Sequence, residues 1–356
     1  MKRKLSTIYA VCCTLLLAGA FLLVFYFAWK SDDVENVIAV LAGFAISLFL
    51  APVFHELGHI AFADITKMQV MYAKFFCFKI VVKNKKSRPY FASPFAPDET
   101  QAVPKTGGDM RRRASWYTLG GLIFSSGFFA AVLIAAVICS VLNATNFALW
   151  GMVPYAAYLL FLNLAPLEYP SGKTDSLVYC GIQRGEDAEK NMLAAMEIQG
   201  NLYAGKSYTE IDETLYFNQP QLCEDEPLFA VMLDLRYRYY LEKEEYDNAA
   251  DCLNRLANAQ AYLPQEEVEK LAAELTYMHA LKGDLQSAQQ CAKLCENFLK
   301  TETAVARRVL AVCAFAGGKT DEAVLLKESA EKYLEKELIT GVVKAEKILL
   351  SRICAV

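Results

Sequence analysis

An uncharged run of 19 residues, Asn36 to Phe54, leads directly into the sequence His55-Glu56-Leu57-Gly58-His59. On a helix, residues i and i+4 share one face, so His55 and His59 can bind one metal ion with Glu56 beside them. Ionisable side chains are costly at membrane depth unless they bind something, and this pair supplies two of only three histidines in the chain. The sequence therefore predicts a metal site on a membrane helix rather than a solvated helix face.

Other uncharged runs predict three more spans. Leu5 to Trp29 has 25 residues, enough to cross a bilayer, and follows the basic residues 2–4. Ala114 to Leu167 has 54 uncharged residues, which suits two spans broken around residues 143–146. We therefore predict four spans, at about 5–29, 36–62, 115–142 and 148–167.

The first span has an alternative reading as a cleaved signal peptide, because Ala18-Gly19-Ala20 resembles a cleavage site. Nine further apolar or aromatic residues follow that tripeptide. A signal's apolar core usually stops at about 7–15 residues, so an uncleaved anchor is favoured.

Charge separates the chain into two halves. Residues 1–182 carry 16 Lys/Arg and 10 Asp/Glu, whereas residues 183–356 carry 20 Lys/Arg and 30 Asp/Glu. These values indicate a membrane half and a water-soluble half, and the acidic soluble half argues against nucleic acid as a partner. The segment from Lys67 to Arg113 holds eleven Lys/Arg, so the positive-inside rule predicts a multi-pass cell-membrane protein with its N-terminus and C-terminal half in the cytoplasm. The cysteines are then expected to be reduced thiols.

Aromatic and β-branched residues between Met71 and Val82, followed by a polar turn and residues 88–91, predict a small β-hairpin or re-entrant element after the second span. Because exposed strand edges are costly in lipid, we expect this element to pack against protein or to lie at the membrane interface.

The soluble half shows the periodicity of amphipathic helices, near 186–204, 228–241, 246–259, 265–282, 284–300, 303–316, 320–334 and 341–354. A weak repeat relates residues 244–249, 283–288 and 318–323, which share a turn followed by an alanine. The spacings of 39 and 35 residues are close to the 34 of tetratricopeptide repeats. A short helical solenoid that binds a cytoplasmic protein partner is the favoured prediction, and a plain helical bundle is the alternative.

A zinc ion held by two histidines needs a third ligand, and the carboxylates near the membrane are Asp64, Glu168 and Asp175. Asp64 lies five residues after His59 and points away from the histidine face. Pro166 and Pro170 break the fourth span, giving irregular backbone that is tolerated only inside protein or at a wet cavity. A new helical run beginning near Asp175 favours Asp175 over Glu168, which stays an alternative.

Residues 36–182 resemble the site-2 protease class of intramembrane zinc metalloproteases, through His55, Glu56, His59 and a stretch from Asn163 and Pro166 to an aspartate. The resemblance implies that His55, His59 and Asp175 bind one Zn²⁺ per chain, and that Glu56 is the catalytic glutamate. It also implies that Asn163 holds the substrate or the oxyanion, and that the hairpin presents substrate in extended form. Asp175 follows Asn163 by twelve residues, a longer spacing than is usual in the family.

The third predicted span also carries part of this resemblance. Residues 120–125, Gly-Gly-Leu-Ile-Phe-Ser, resemble the family's third-span signature with Ser125 where an asparagine is common.

The predicted fold is an all-α membrane protein with a small β element. Its predicted parts are an anchor at 1–35, a protease core at 36–182 and a tetratricopeptide-like helical domain at 183–356.

The predicted function is a zinc metalloendopeptidase that cleaves a membrane-protein substrate within or near its transmembrane segment. The alternative is a non-catalytic membrane scaffold with a structural or vestigial zinc site and a partner-binding repeat domain. Glu56 argues against the scaffold, because a structural site needs ligands but no base. A zinc hydrolase acting on a small lipid-soluble substrate is a third reading.

Overall fold

The computed structural model describes residues 2–83, 86–93, 98–105, 107–169, 172–259 and 263–353. The chain divides into two compact units, residues 1–189 and 190–356. The domain limits predicted at 35/36 and 182/183 stay predictions.

Four helices of the described chain are long and apolar enough to cross a membrane, which confirms the predicted number of spans. They are α1 (Lys2–Lys30), α2 (Val34–Ile65), α3 (Met110–Val141) and α4 (Phe147–Leu164). The break predicted between the last two is present, since α3 ends at Val141 and α4 begins at Phe147. The Asn146 side chain caps α4 by accepting a hydrogen bond from Leu149 N. The membrane side of each terminus stays a prediction.

Helix α2 packs against both α3 and α4, and it approaches α3 closely at two glycines. A Cβ atom on Gly58 would lie 2.1 Å from Gly120 O, and a Cβ atom on Gly120 would lie 2.5 Å from Gly58 O. Such small residues let helix backbones approach closely where lipid removes the hydrophobic drive for association. This crossing brings α3 against the histidine-bearing part of α2.

A four-stranded antiparallel sheet connects α2 to α3. Its strands are β1 (Met68–Phe75), β2 (Phe78–Lys83), β3 (Lys86–Phe91) and β4 (Glu99–Pro104), in the spatial order β3-β2-β1-β4. The predicted hairpin corresponds to part of this sheet, although residues 84 and 85 of its turn lie outside the described residues. The re-entrant position stays a prediction, and β4 was not predicted.

The fourth span ends earlier than expected. Helix α4 stops at Leu164 rather than near Glu168, and Ala165 is extended, with φ −76° and ψ 129°. The residue before a proline is disfavoured in the helical conformation, so Pro166 ends the helix. Two short strands, β5 (Glu168–Tyr169) and β6 (Gly172–Lys173), then lead into α5 (Asp175–Arg184). Pro170, the second of the two prolines predicted to break this span, lies outside the described residues.

The second unit is helical, and its main helices lie close to the predicted ranges. They are α6 (Asp187–Tyr203), α7 (Thr214–Phe217), α8 (Pro227–Glu242), α9 (Tyr246–Asn258), α10 (Gln265–Leu281), α11 (Leu285–Leu294), α12 (Glu296–Leu299), α13 (Ala304–Ala316), α14 (Thr320–Leu334) and α15 (Thr340–Arg352). The helix predicted at 284–300 is interrupted at Cys295, and α7 and a 3₁₀ turn at Tyr208–Glu210 were not predicted.

Three helix pairs, α8–α9, α10–α11 and α13–α14, share one kind of connection. Glu244, Gly283 and Gly318 stand in their turns with φ of 65°, 76° and 76°. The alanine five residues after each of these positions is buried, at Ala249, Ala288 and Ala323. The sequence repeat therefore corresponds to a repeated turn and helix contact.

A buried ionic network joins four helices of this unit. Arg308 of α13 is fully buried and donates from Nε to Glu346 Oε2 of α15 at 2.8 Å. It also donates from Nη2 to Glu274 Oε1 of α10 at 2.8 Å, and Tyr237 of α8 donates to Glu274 Oε2 at 2.7 Å. Several partners for each group offset the cost of burying these charges.

Candidate metal centre

Three side chains from distant parts of the first unit, residues 1–189, converge on one point. His55 and His59 lie one turn apart on α2, and their Nε2 atoms are 3.4 Å apart. Asp175 Oδ2, from the first residue of α5, is 3.1 Å from His55 Nε2 and 3.3 Å from His59 Nε2. The histidines are buried and Asp175 is partly buried. Within the described residues, this is the one group of three or more such ligands that could hold a metal ion.

The start of α5 is fixed against the end of α4, and this fixes Asp175. Thr174 caps α5 by accepting from Leu177 N, and its hydroxyl also donates to Ala165 O at 2.8 Å. Ser176 Oγ donates to Asn163 O at 2.6 Å. Both neighbours of Asp175 are thus bound to the irregular end of the fourth span, which explains how a residue outside that span reaches the histidines.

Helix α3 orients both imidazole rings through groups that lie within hydrogen-bond distance of their Nδ1 atoms. His55 Nδ1 lies 3.0 Å from Ser125 Oγ, and His59 Nδ1 lies 2.9 Å from the carbonyl oxygen of Tyr117. A carbonyl can only accept, so His59 donates from Nδ1 and keeps the lone pair of Nε2 for a metal. Such partners fix the tautomer and the ring orientation of metal-binding histidines.

Gly121 leaves the space that the three ligands surround. A Cβ atom at this position would lie 2.5 Å from His59 Nε2, 2.7 Å from His55 Cε1 and 2.9 Å from Asp175 Oδ2. Any side chain here would overlap the ligating atoms. The α3 backbone therefore forms one wall of the site.

Glu56 lies beside the ligands and is 5% exposed. Its carboxylate interacts electrostatically with both imidazoles and with Asp175. Its Oε2 atom and Thr100 Oγ1 of β4 are both buried without a well-oriented hydrogen bond among the described residues, although the Thr100 hydroxyl lies close enough to stabilise the Glu56 carboxylate. A buried polar atom without a partner is costly, which is typical of a group kept for chemistry.

The remaining predicted residues lie elsewhere. Glu168 is exposed in β5 and Asp64 pairs with Lys105 at 3.4 Å, so neither belongs to the ligand group. The Asn163 side-chain amide donates to Leu159 O of its own helix at 3.3 Å. Its role in holding substrate or oxyanion stays a prediction.

The donor set fits a metal ion better than a hydrogen-bonded cluster. Asp175 Oδ2 is buried and lies close to both Nε2 atoms, yet it has no properly oriented hydrogen bond among the described residues. Burial alone would raise the pKa of the Asp175 carboxyl, but the two adjacent imidazoles lower it below its usual range. Two imidazole nitrogens and one carboxylate oxygen within 3.1–3.4 Å of one another form a group that could hold a metal ion.

Sequence reasoning missed two contributors to this site. Tyr117 acts through its main-chain carbonyl, which carries no sequence signal, and its phenol donates to the carbonyl oxygen of Thr100. Thr100 belongs to the unpredicted strand β4.

Comparison of the chain with protein-family models, curated proteins and solved structures finds no match.

Proposed function

We propose that the protein is a multi-pass membrane zinc endopeptidase that cleaves a membrane-protein substrate within or beside its transmembrane segment. One observation carries this proposal. His55 and His59, on a helix apolar enough to cross a membrane, converge with Asp175 beside the buried carboxylate of Glu56. The family resemblance of residues 36–182 points to the same activity.

Zn²⁺ is the ion that we propose for the site, one per chain. Two imidazole nitrogens and one carboxylate oxygen are a ligand set of catalytic zinc. Mg²⁺ and Ca²⁺ prefer ligand sets made of oxygen atoms, which argues against them here. When bound, the ion supplies Lewis-acid activation of water and of the scissile carbonyl group.

Glu56 is the proposed general base. Its Oε2 atom makes no well-oriented hydrogen bond in the described chain, so it is available to accept a proton from the attacking water. The same carboxyl group would then donate that proton to the leaving amine. A structural metal site has no use for such a group, so Glu56 favours an enzyme over the scaffold alternative.

Strand β4 is the proposed surface for the scissile segment. It lies at an edge of the sheet, and Tyr117 connects it to the metal centre by donating to Thr100 O while accepting from His59 Nδ1. The backbone groups of an edge strand can pair with an extended peptide. In this proposal the Asn163 amide exchanges Leu159 O for the substrate carbonyl or the oxyanion.

The second unit is the proposed partner-binding part of the protein. We propose that its three helix pairs are degenerate tetratricopeptide-like repeats, on the cytoplasmic side of the cell membrane. The repeated turns at Glu244, Gly283 and Gly318 support this proposal. A cavity of about 330 Å³, lined mainly by α8, α9 and α10, is available to a partner protein.

Replacing Glu56 by Gln tests the proposal, because the change keeps the shape of the side chain and removes the base. We expect zinc to be retained and peptide cleavage to fall at least about a hundredfold, so that small membrane proteins accumulate uncleaved in cells. Glu168→Gln is the matched control, since it changes an exposed carboxylate outside the ligand group. Equal turnover by wild type and Glu56→Gln would favour the scaffold, and accumulation of a small lipid-soluble molecule would favour the third reading.

A further inference from the structure

The β2–β3 hairpin exposes large aromatic side chains. Phe91 is 87% exposed, Tyr90 50% and Phe78 46%. Tyr90 and Phe91 lie on β3, at an edge of the sheet, and Phe78 lies on the adjacent strand β2. An exposed apolar strand edge is an aggregation hazard in water, so such a patch indicates a surface that something covers.

The same segment is strongly basic. Residues 76–91 contain five basic residues, Lys79, Lys83, Lys85, Lys86 and Arg88, and no aspartate or glutamate. The β3 register pairs Phe78 with Phe91 at one end of the hairpin and Lys83 with Lys86 at the other. Lys83, Lys86 and Arg88 therefore lie toward the end opposite the aromatic positions, whereas Lys79 pairs with Tyr90 and has its ammonium group 3.8 Å from the Tyr72 ring centroid.

The aromatic end lies beside a membrane helix. Phe76, in the turn between β1 and β2, packs edge-on against Phe49 of α2 with ring centroids 6.4 Å apart. Phe49 precedes the end of α2 at Ile65 by 16 residues, or about 24 Å of helix. The eight residues of β1 span about 26 Å, so β1 extends from the end of α2 at Ile65 back along that helix to the uncharged run that contains Phe49.

Strand length then sets the position of the basic end. Five residue steps separate Phe78 from Lys83, or about 17 Å of strand, against about 15 Å for half the hydrocarbon layer. An aromatic end at acyl-chain depth thus has its basic end near the headgroups of the leaflet where α2 ends. Lysine and arginine near a membrane surface attract anionic lipid.

We infer that the β2–β3 hairpin is a binding surface for anionic phospholipid, with its aromatic end among acyl chains and its basic end at the headgroups. The occupant is lipid rather than protein. Along the hairpin, the positions change from aromatic to basic over a length that matches the depth from acyl chains to headgroups in one leaflet. This inference rests on membrane insertion and not on the proposed peptidase activity.

The test uses full-length protein, one chain per nanodisc, in equal parts of phosphatidylcholine and phosphatidylglycerol. Benzoylphenylalanine replaces Phe91, and mass spectrometry identifies the adducts after illumination. We expect lipid adducts in which phosphatidylglycerol is enriched by about tenfold over phosphatidylcholine. Adducts only within the chain, or no adducts at all, would show that this surface does not touch lipid and would overturn the inference.

Charge removal tests the headgroup contact separately. The Lys83→Gln, Lys86→Gln, Arg88→Gln variant should still form lipid adducts at position 91 but lose the preference for phosphatidylglycerol. The matched control removes three exposed lysines of the second unit, at Lys293, Lys319 and Lys336, and should keep the preference. An unchanged far-UV circular dichroism spectrum reports folding in both variants. An unchanged preference in the hairpin variant contradicts the inference, as does crosslinking of Phe91 to another protein in native membranes.

Discussion

A Cβ atom on Gly121 would lie 2.5 Å from Nε2 of His59, closer than non-bonded atoms approach. Helix α3 therefore leaves room for the metal centre because Gly121 has no side chain, while its Ser125 hydroxyl and Tyr117 carbonyl orient the two imidazole rings. The metal centre depends on three elements, of which only α2 carries the sequence motif.

Gly121→Ala is expected to abolish metal binding, because the added methyl group overlaps His59, His55 and Asp175. The measurement is zinc per chain in detergent-purified protein by elemental analysis. Gly127→Ala on the same helix is the control, since nothing lies within 4 Å of a Cβ atom there. A full zinc complement in Gly121→Ala would show that metal binds elsewhere.

Asp175→Ala is expected to weaken zinc binding by a large factor, as the loss of a direct ligand should. Glu168→Ala should bind zinc normally, because Glu168 is exposed and outside the ligand group. Titration against a chelator of known affinity measures both. The opposite result would transfer the third-ligand role to Glu168.

Ser125→Ala removes the hydrogen-bonding partner of His55 Nδ1 without touching a ligand. Loss of such an orienting partner typically lowers metal affinity by about 10–100-fold, which is our expectation. The neighbouring, exposed Ser126 provides the control variant Ser126→Ala. Equal affinities in the two variants would mean that packing alone holds the His55 ring.

The second unit is expected to lose stability in acid through Glu274. Burial alone would raise the pKa of this carboxyl, but the charges of Arg308 and Arg238 outweigh burial and lower it. A carboxyl whose pKa is lower in the folded state contributes stability above its unfolded pKa of about 4.3 and loses it as pH falls through the folded value. The protection of α10 and α13 amides against hydrogen exchange, relative to the intrinsic rate at each pH, should therefore fall below about pH 4.3 in the full-length protein.

Glu274→Gln tests the same network at neutral pH. Removing one of the two buried counter-charges of Arg308 leaves only Glu346 and should destabilise the unit by about 1–3 kcal/mol and flatten the acid dependence. Glu245→Gln is the control, because Glu245 pairs with Lys243 on the surface. An unchanged acid dependence in Glu274→Gln would place the titrating group elsewhere.

The sequence predicted the parts of the fold that depend on local pattern. Uncharged runs gave the four spans, and the His55–His59 spacing gave the shared helix face. The helices of the second unit followed from apolar periodicity, and their turns from the repeat at Glu244, Gly283 and Gly318.

Features that depend on tertiary contact were not predictable. The backbone carbonyl of Tyr117 has no residue signature, and Gly121 matters only because α2 and α3 cross so closely. Strand β4 carries the sequence Glu-Thr-Gln-Ala-Val-Pro, which lacks alternating apolar residues and exists through pairing with β1. The helix end at Leu164 was misplaced because Pro166 outweighed the apolar composition that continues to Leu167.

The contact between Gly58 and Gly120 restricts how this protein can evolve. Each backbone occupies the space of the other's missing side chain, and neither residue has a smaller replacement. A substitution at one position therefore cannot be rescued by a compensating change at the other. Leu57, one residue earlier and 38% exposed, is under no such restriction. The two unspecified positions between His55-Glu56 and His59 should thus diverge at very different rates, with the second retained as glycine in any descendant that keeps this helix crossing.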